Sequence, residues 1–318
     1  MLSPWAIMLF CVLLWSGATV AANDSEHDSA HDDSTSHDHG NTSQAGALNI
    51  ATDIPPVQSL VLSVVGDLHP VTVLLDGNEQ VHHHALKPSD ARHVHNADLF
   101  IQIGDSLTPW LKEYRKSLPE HVQVLNLNAL PQTQTLTLYD EDNNAITDTE
   151  DAHSWLNPDN AVVWLDAIRD VLIQQNADNA GIYTANADNA KQQIARVVES
   201  IERQLTAVPD HYALVEHDAL RYFQTRFGLP PVRPLFSHDD IPPGPAGLRD
   251  IRRYVAANKV DCVLIEGLQK EDLLNTVFNG VAYQAVSLDL MGRSLPMNAT
   301  HYVATIEGVA DSVLSCAG

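Results

Sequence analysis

The sequence is poor in positive charge. Its 318 residues contain 18 Lys and Arg against 41 Asp and Glu, which gives a formal net charge of −23 at pH 7. A chain of this charge repels phosphate backbones and anionic lipid surfaces, so the composition argues against nucleic-acid binding. It suits the handling of cations and a salt-rich environment equally well. Hydrophobic residues make up 44% of the chain, which excludes wholesale disorder.

Cysteine is also scarce. Of the three cysteines, Cys11 lies in an N-terminal apolar run without a lipobox, so we do not expect lipidation. Cys262 and Cys316 remain, and in an oxidising compartment an isolated pair is most simply a disulfide. Such a bond would close a loop of 54 residues and contribute roughly 4 kcal/mol through chain entropy. The alternative is two buried free thiols.

The N-terminus lacks the Lys or Arg that usually precedes a secretory apolar run. The run from Trp5 to Trp15 is nevertheless short for a spanning helix, and Val20-Ala21-Ala22 fits a signal-peptidase site. We predict a cleaved signal peptide over 1–22 and export; the alternative is an uncleaved membrane anchor.

Large apolar side chains are absent from residues 23–46, which is typical of a disordered tail. The tail carries four histidines among acids and serines: His27, His31, His37 and His39. It is interpreted either as a solvated linker or as a set of weak metal sites, and the two interpretations are compatible.

Beyond the tail, strand-like and helix-like patterns alternate. This alternation predicts an α/β protein with parallel sheets covered by helices. We predict an N-terminal lobe over 47–177, a linking helix over 178–208 and a C-terminal lobe over 209–318. The linking helix is indicated by apolar residues that recur at steps of three and four: Ala190, Ile194, Val197, Ile201 and Leu205.

Candidate metal ligands follow the predicted strands of both lobes. The triplet His82–His84 and His153 belong to the first lobe, and His217 and Asp289 belong to the second. In open α/β sheets, ligands bind beyond the carboxyl ends of the strands. Three imidazoles and one carboxylate make a tetrahedral set suited to Zn²⁺. Each residue alone has a simpler interpretation, because a histidine or aspartate after a strand often only caps a turn.

Four segments carry a resemblance to a known family. They are "HHHALKPSDARHVHNADLFIQIG", "HSWLNPDNA", "EHDALRYFQTRFGL" and "SLDLMG". In order and spacing they resemble the metal-ligand segments of the zinc-binding solute-binding proteins of bacterial ABC importers, over about residues 47–318. That family has two lobes joined by a rigid helix.

The resemblance implies particular roles for these residues. It assigns the zinc ligands to His82, His153, His217 and Asp289, and the disulfide to Cys262 and Cys316. His83 is the fallback for His82, and His84 stands where the family commonly has Tyr. Two features depart from the family: the region between the first two ligands is acidic instead of histidine-rich, and Val81 replaces an acid found in some relatives.

The function implied is capture of Zn²⁺ in the cleft between the lobes, in the periplasm, and its delivery to an ABC permease and ATPase. Zinc chaperone proteins are further expected partners, and the protein is expected to be a monomer. A manganese-binding member of the same family is the alternative, although many manganese relatives have Glu where this chain has His217.

Two rival functions come from other classes. A zinc hydrolase would need a general base; Glu216 neighbours His217, but adjacent residues at a strand end point to opposite faces. A zinc buffer or adhesin without a transporter is the second rival. We predict a protein that is not an enzyme.

Overall fold

The structure is a computed structural model that describes residues 46–76, 81, 84–140, 144–206, 208–236, 242–267 and 271–318. The predicted signal peptide, the tail before Gly46 with its four histidines, His82 and His83 lie outside these residues. No helix among the described residues is long and apolar enough to cross a membrane.

The first sheet has four parallel strands in the order β2-β1-β3-β4. Its central strands, β1 and β3, are buried along their whole length. Its strands are β1 Ile50–Thr52, β2 Val71–Val73, β3 Leu99–Gln102 and β4 Gln123–Asn126. Its helices are α1 Pro55–Val65, α2 Pro88–His95, α3 Leu111–Arg115 and α4 Pro158–Gln175.

The second sheet repeats this arrangement in the order β6-β5-β7-β8, again all parallel. Its strands are β5 Leu214–Val215, β6 Arg233–Pro234, β7 Cys262–Ile265 and β8 Gln284–Ser287. Its helices are α6 Arg221–Phe227, α7 Pro245–Asn258, α8 Glu271–Phe278 and α9 His301–Ala317. The predicted class, α/β with two parallel sheets and a long helix between them, is confirmed.

The long helix α5 covers Ala180–Gln204, somewhat less than the predicted linking segment. A 3₁₀ turn over Ala177–Asn179 precedes it. Val198 is buried in the apolar stripe, whereas Val197 is only half-buried. The stripe therefore follows a step of four from Ile194 to Val198, on a helix that packs against α4, α1 and α9.

The predicted disulfide between Cys262 and Cys316 is present. It joins the first residue of β7 to the last turn of α9. The disulfide thereby links the central strand β7 covalently to the C-terminal helix α9.

Helix α2 begins at a proline. Its N-cap is Lys87, since Pro88 occupies the first helical position. The Asp90 carboxylate accepts a hydrogen bond from the Lys87 backbone N–H at 3.2 Å. This carboxylate satisfies a free N–H group at the start of the helix.

His69 is a structural residue, although its sequence context shows no companion pattern. It is 5% exposed. Its Nδ1 accepts the Leu48 N–H at 3.1 Å and its Nε2 is hydrogen-bonded to the Tyr183 hydroxyl. The ring thus joins the chain before β1 to helix α5, and burial lowers its pKa below the usual value.

We predict that His69 makes the stability pH-dependent. An unfolded chain takes up a proton on this histidine at a pKa of about 6.5, whereas the folded chain resists it. Stability should therefore be full above that pH and should fall as the pH drops below it. His69→Asn keeps an acceptor for Leu48 but cannot be protonated, so the decrease in Tm between about pH 7.5 and about pH 5.5 should be smaller.

The measurement is thermal unfolding followed by circular dichroism. His121→Asn is the matched control, since His121 is exposed. Parallel pH profiles for His69→Asn and the wild type would contradict the assignment.

Candidate metal centre

Two of the predicted ligands, His153 and His217, meet in the structure. His153 precedes the 3₁₀ turn Ser154–Leu156 that leads into α4, and His217 lies two residues after the end of β5. Their Nε2 atoms are 3.2 Å apart, and their ring centroids are 5.1 Å apart. Because one histidine belongs to each half of the chain, the pair lies where the two halves come together.

Each imidazole is oriented from behind by a carboxylate. Asp151 Oδ1 lies 2.8 Å from His153 Nδ1 and also accepts the His153 backbone N–H. Glu266 Oε1 lies 2.6 Å from His217 Nδ1. A carboxylate only accepts hydrogen bonds, so these contacts place the proton of each neutral ring on Nδ1. Both Nε2 atoms then present lone pairs toward each other.

Glu266 is held as a carboxylate at this position. Burial opposes its ionisation, but the contact with His217 and the nearby Arg293 guanidinium outweigh burial and lower the pKa of Glu266. Its backbone N–H donates to Glu216 Oε2 at 2.8 Å. Glu216 is buried, and this bond joins the turn after β7 to the end of β5.

Asp289 follows β8 and closes a turn. Its carboxylate accepts the backbone N–H groups of Arg293 and Ser294 at 3.0 and 3.2 Å. These donors help to lower the pKa of Asp289 against the effect of its burial. The Arg293 guanidinium lies 3.6 Å from Asp289 and 3.8 Å from Glu266. Asp289 is therefore connected to the histidine pair through Arg293 and Glu266.

The turn after Asp289 packs tightly on α9. Gly292 has φ +70°, and a Cβ placed there would lie 2.4 Å from Thr305 Oγ1 and 2.6 Å from His301 Nε2. The same imidazole nitrogen donates to the Gly292 carbonyl at 3.0 Å. Glycine is thus required by both the backbone angle and the close approach, and the buried His301 supports the Asp289 turn.

The segment that carries the histidine triplet is fixed at both sides of His82 and His83. Val81 is buried, and its carbonyl accepts the Trp110 Nε1–H at 3.0 Å. His84 Nε2 lies 3.1 Å from Asp90 Oδ2, and its ring packs against Trp110 with 4.9 Å between centroids. His84 therefore contacts both Asp90 on α2 and Trp110 at the start of α3.

Hydrogen bonds between the two halves hold the centre together. The Trp155 Nε1–H donates to the Leu290 carbonyl at 3.0 Å, and the Tyr302 hydroxyl donates to the Trp155 carbonyl at 2.9 Å. The Tyr222 hydroxyl donates to the Asp151 carbonyl at 3.0 Å. These contacts place the His153 segment against the loop that contains Asp289.

Sequence reasoning missed several residues of this centre. Glu266 directly follows a buried strand, the same signal that identified His217, and Asp151 lies two residues before His153. Of the four predicted ligands, the structure brings His153 and His217 into contact and connects Asp289 to them through Arg293 and Glu266. The fourth, His82, lies outside the described residues. The described residues alone contain no group of three His, Cys, Asp or Glu side chains arranged to hold a metal.

Known proteins are similar to this chain in sequence and in fold. The High-affinity zinc uptake system protein ZnuA of Paracoccus denitrificans (strain Pd 1222) is 30% identical over 304 residues, which cover 86% of this chain and 93% of that protein. The Manganese-binding lipoprotein MntA of Halalkalibacterium halodurans is 28% identical over 249 residues, covering 76% and 78%.

A solved structure, the periplasmic zinc binding protein TroA from Treponema pallidum, matches with a TM-score of 0.74 at 20% identity, over 86% of this chain and all of that one. At this identity the likeness shows the fold. The sequence profile described as the periplasmic component A of the zinc-uptake complex matches residues 50–316. The resemblance seen in the sequence is confirmed, and the chain belongs to this family of periplasmic zinc-uptake component A proteins.

Proposed function

We propose that the chain captures Zn²⁺ between its two sheets and delivers it to an ABC permease driven by an ATPase. The observation that carries the proposal is the 3.2 Å separation of His153 Nε2 and His217 Nε2. Two unprotonated nitrogens repel each other at this distance unless a cation lies beside both. Zn–N bonds of 2.0–2.1 Å in a tetrahedron place two nitrogen ligands about 3.3 Å apart, which agrees with the separation.

His82 is proposed as the third ligand and Asp289 as the fourth. The residues on either side of His82 and His83 are held by hydrogen bonds, Val81 to Trp110 and His84 to Asp90. Asp289 has its carboxylate held by the Arg293 and Ser294 backbone N–H groups. Such hydrogen bonds orient a carboxylate ligand and keep it ionised.

Ligand chemistry favours zinc over manganese. Three neutral imidazoles and one carboxylate leave a bound dication with a net charge of about +1, and Asp151 and Glu266 lie directly behind two of the imidazoles. Imidazole suits zinc, whereas manganese prefers sites rich in carboxylate oxygens. The manganese-binding relative keeps manganese, or another divalent metal, as the second candidate cargo.

A hydrolase is the less favoured function. Glu216, the residue that could serve as a general base, is buried and accepts the Glu266 backbone N–H. This contact supports a structural role for Glu216. Binding and release of the cation, without a reaction, is therefore the proposed activity.

The remaining parts of the proposal rest on the sequence and the family. The chain is proposed to be exported to the periplasm after removal of residues 1–22 and to act as a monomer. Zinc chaperone proteins are proposed as further partners. The lobes are proposed to cover 47–177 and 209–318 with the linking helix over 178–208, and the tail histidines are proposed as weak metal sites.

The first prediction from this proposal is that the mature chain binds one Zn²⁺ tightly and Mn²⁺ more weakly. Competition titration against a chromophoric chelator measures both affinities. Deleting residues 23–45 should leave the tight site unchanged and remove only weak sites, because the proposed ligands all lie beyond the tail. Loss of the tight site on deletion, or tighter binding of Mn²⁺ than of Zn²⁺, would contradict the proposal.

The histidine triplet provides the second prediction. His82→Ala should weaken Zn²⁺ binding about 100-fold or more, since removal of an outer partner alone costs about 10–100-fold. His84→Ala should change the affinity little, because its ring contacts Asp90 and Trp110. His83→Ala is the control within the same loop. Titrations at one pH are required, since protons compete for imidazole. A strong effect of His83→Ala or His84→Ala with a mild effect of His82→Ala would show that His82 is not the ligand.

The third prediction concerns Glu266. Glu266→Ala should weaken Zn²⁺ binding about 10–100-fold, because His217 loses the group that orients its ring. Glu266→Gln should be intermediate, since the amide oxygen can still accept from Nδ1. Glu113→Gln is the matched control: this acid is exposed and pairs with Lys116. Wild-type affinity in Glu266→Ala would exclude the orienting role.

A further inference from the structure

A groove lies at the amino ends of the strands of the second sheet, opposite the metal centre. It has a volume of about 1000 Å³ and lies between the C-terminal half of α7 and the end of α8. Val260 and Asp261, which precede β7, and Ala282, which precedes β8, line it. His217, Glu266 and Asp289 instead follow the carboxyl ends of strands. In a parallel sheet all amino ends of the strands lie on one side and all carboxyl ends on the opposite side. A molecule in the groove therefore leaves the metal centre open.

Positive charge is concentrated around this groove. Four of the chain's 18 Lys and Arg residues line it: Arg249, Arg252, Arg253 and Lys259. Arg253 forms an ion pair with Asp250. Within the described part of the chain the other three cations have no ion pair, although acids outnumber bases 41 to 18 overall. Asp261 is the one acid in the lining.

Apolar surface lies next to these cations. Val281 is 53% exposed, the largest exposed fraction among the exposed large hydrophobic residues of the described chain. Ala256 and Ala282 are exposed beside it, above the buried ring of Phe278. A volume of about 1000 Å³ is at the upper end of the range for small-molecule sites.

We propose that this groove binds a small organic anion with an apolar body, of the medium-chain carboxylate class. Guanidinium groups bind carboxylates through paired hydrogen bonds, and the exposed Val281 and the alanines match an aliphatic chain. Ion pairs at an exposed site contribute little each. The affinity therefore depends on both parts of the ligand.

Isothermal titration of the full mature chain with decanoate tests the proposal. Acetate has the carboxylate without the apolar chain, and decanol has the chain without the charge. Decanoate should bind saturably at one site per chain, and acetate and decanol should bind about 10-fold more weakly or worse. Added salt should weaken decanoate binding, because the cations are exposed. Absence of saturable decanoate binding, or equal binding of decanol, would overturn the proposal.

Variants locate the site. The double variant Arg249→Gln, Arg252→Gln should bind decanoate about 10-fold more weakly. Val281→Asp should also weaken binding, because it removes apolar surface and places a negative charge in the groove. Arg196→Gln is the control, because Arg196 is an exposed cation on α5, away from the groove. All variants should bind Zn²⁺ as the wild type does, which also reports that they are folded. Unchanged decanoate affinity in the double variant, or displacement of decanoate by Zn²⁺, would place the anion elsewhere and overturn the proposal.

Discussion

The approach of His153 Nε2 to His217 Nε2 is the contact on which the rest of the centre depends. The two residues are 64 positions apart in sequence, and each belongs to a different half of the chain. Their meeting requires the hydrogen bonds that cross between the halves, from Trp155 to the Leu290 carbonyl and from Tyr222 to the Asp151 carbonyl. These donors are buried, so breaking either bond would leave a polar group without a partner away from water.

The carboxylates behind the imidazoles determine what the pair can bind. With a proton on each Nδ1, both lone pairs converge on one point, and this arrangement selects a cation over a neutral or anionic ligand. Arg293 lies near both Glu266 and Asp289. Its charge offsets part of the repulsion between these two acids, so the centre can hold several carboxylates without protonating them.

Charge is distributed unevenly over the chain. An acidic protein attracts divalent cations to its surface, which suits a zinc-uptake component. The cations of α7 lie around the groove at the amino ends of the strands of the second sheet. The second sheet thus has the proposed metal ligands His217 and Asp289 beyond the carboxyl ends of its strands and the cationic groove at the amino ends.

The sequence by itself determined the alternation of strands and helices, the loops that carry His153, His217 and Asp289, and the cysteine pair, because buried strands, turn residues and family motifs are local patterns. Only the tertiary structure decided how single side chains are used. It showed that His69 and His301 are buried supports, that Val198 replaces Val197 in the buried stripe, and that Glu266 and Asp151 orient the imidazoles. These roles depend on which segments pack together in space, and contacts between residues far apart in sequence leave no periodic pattern along the chain.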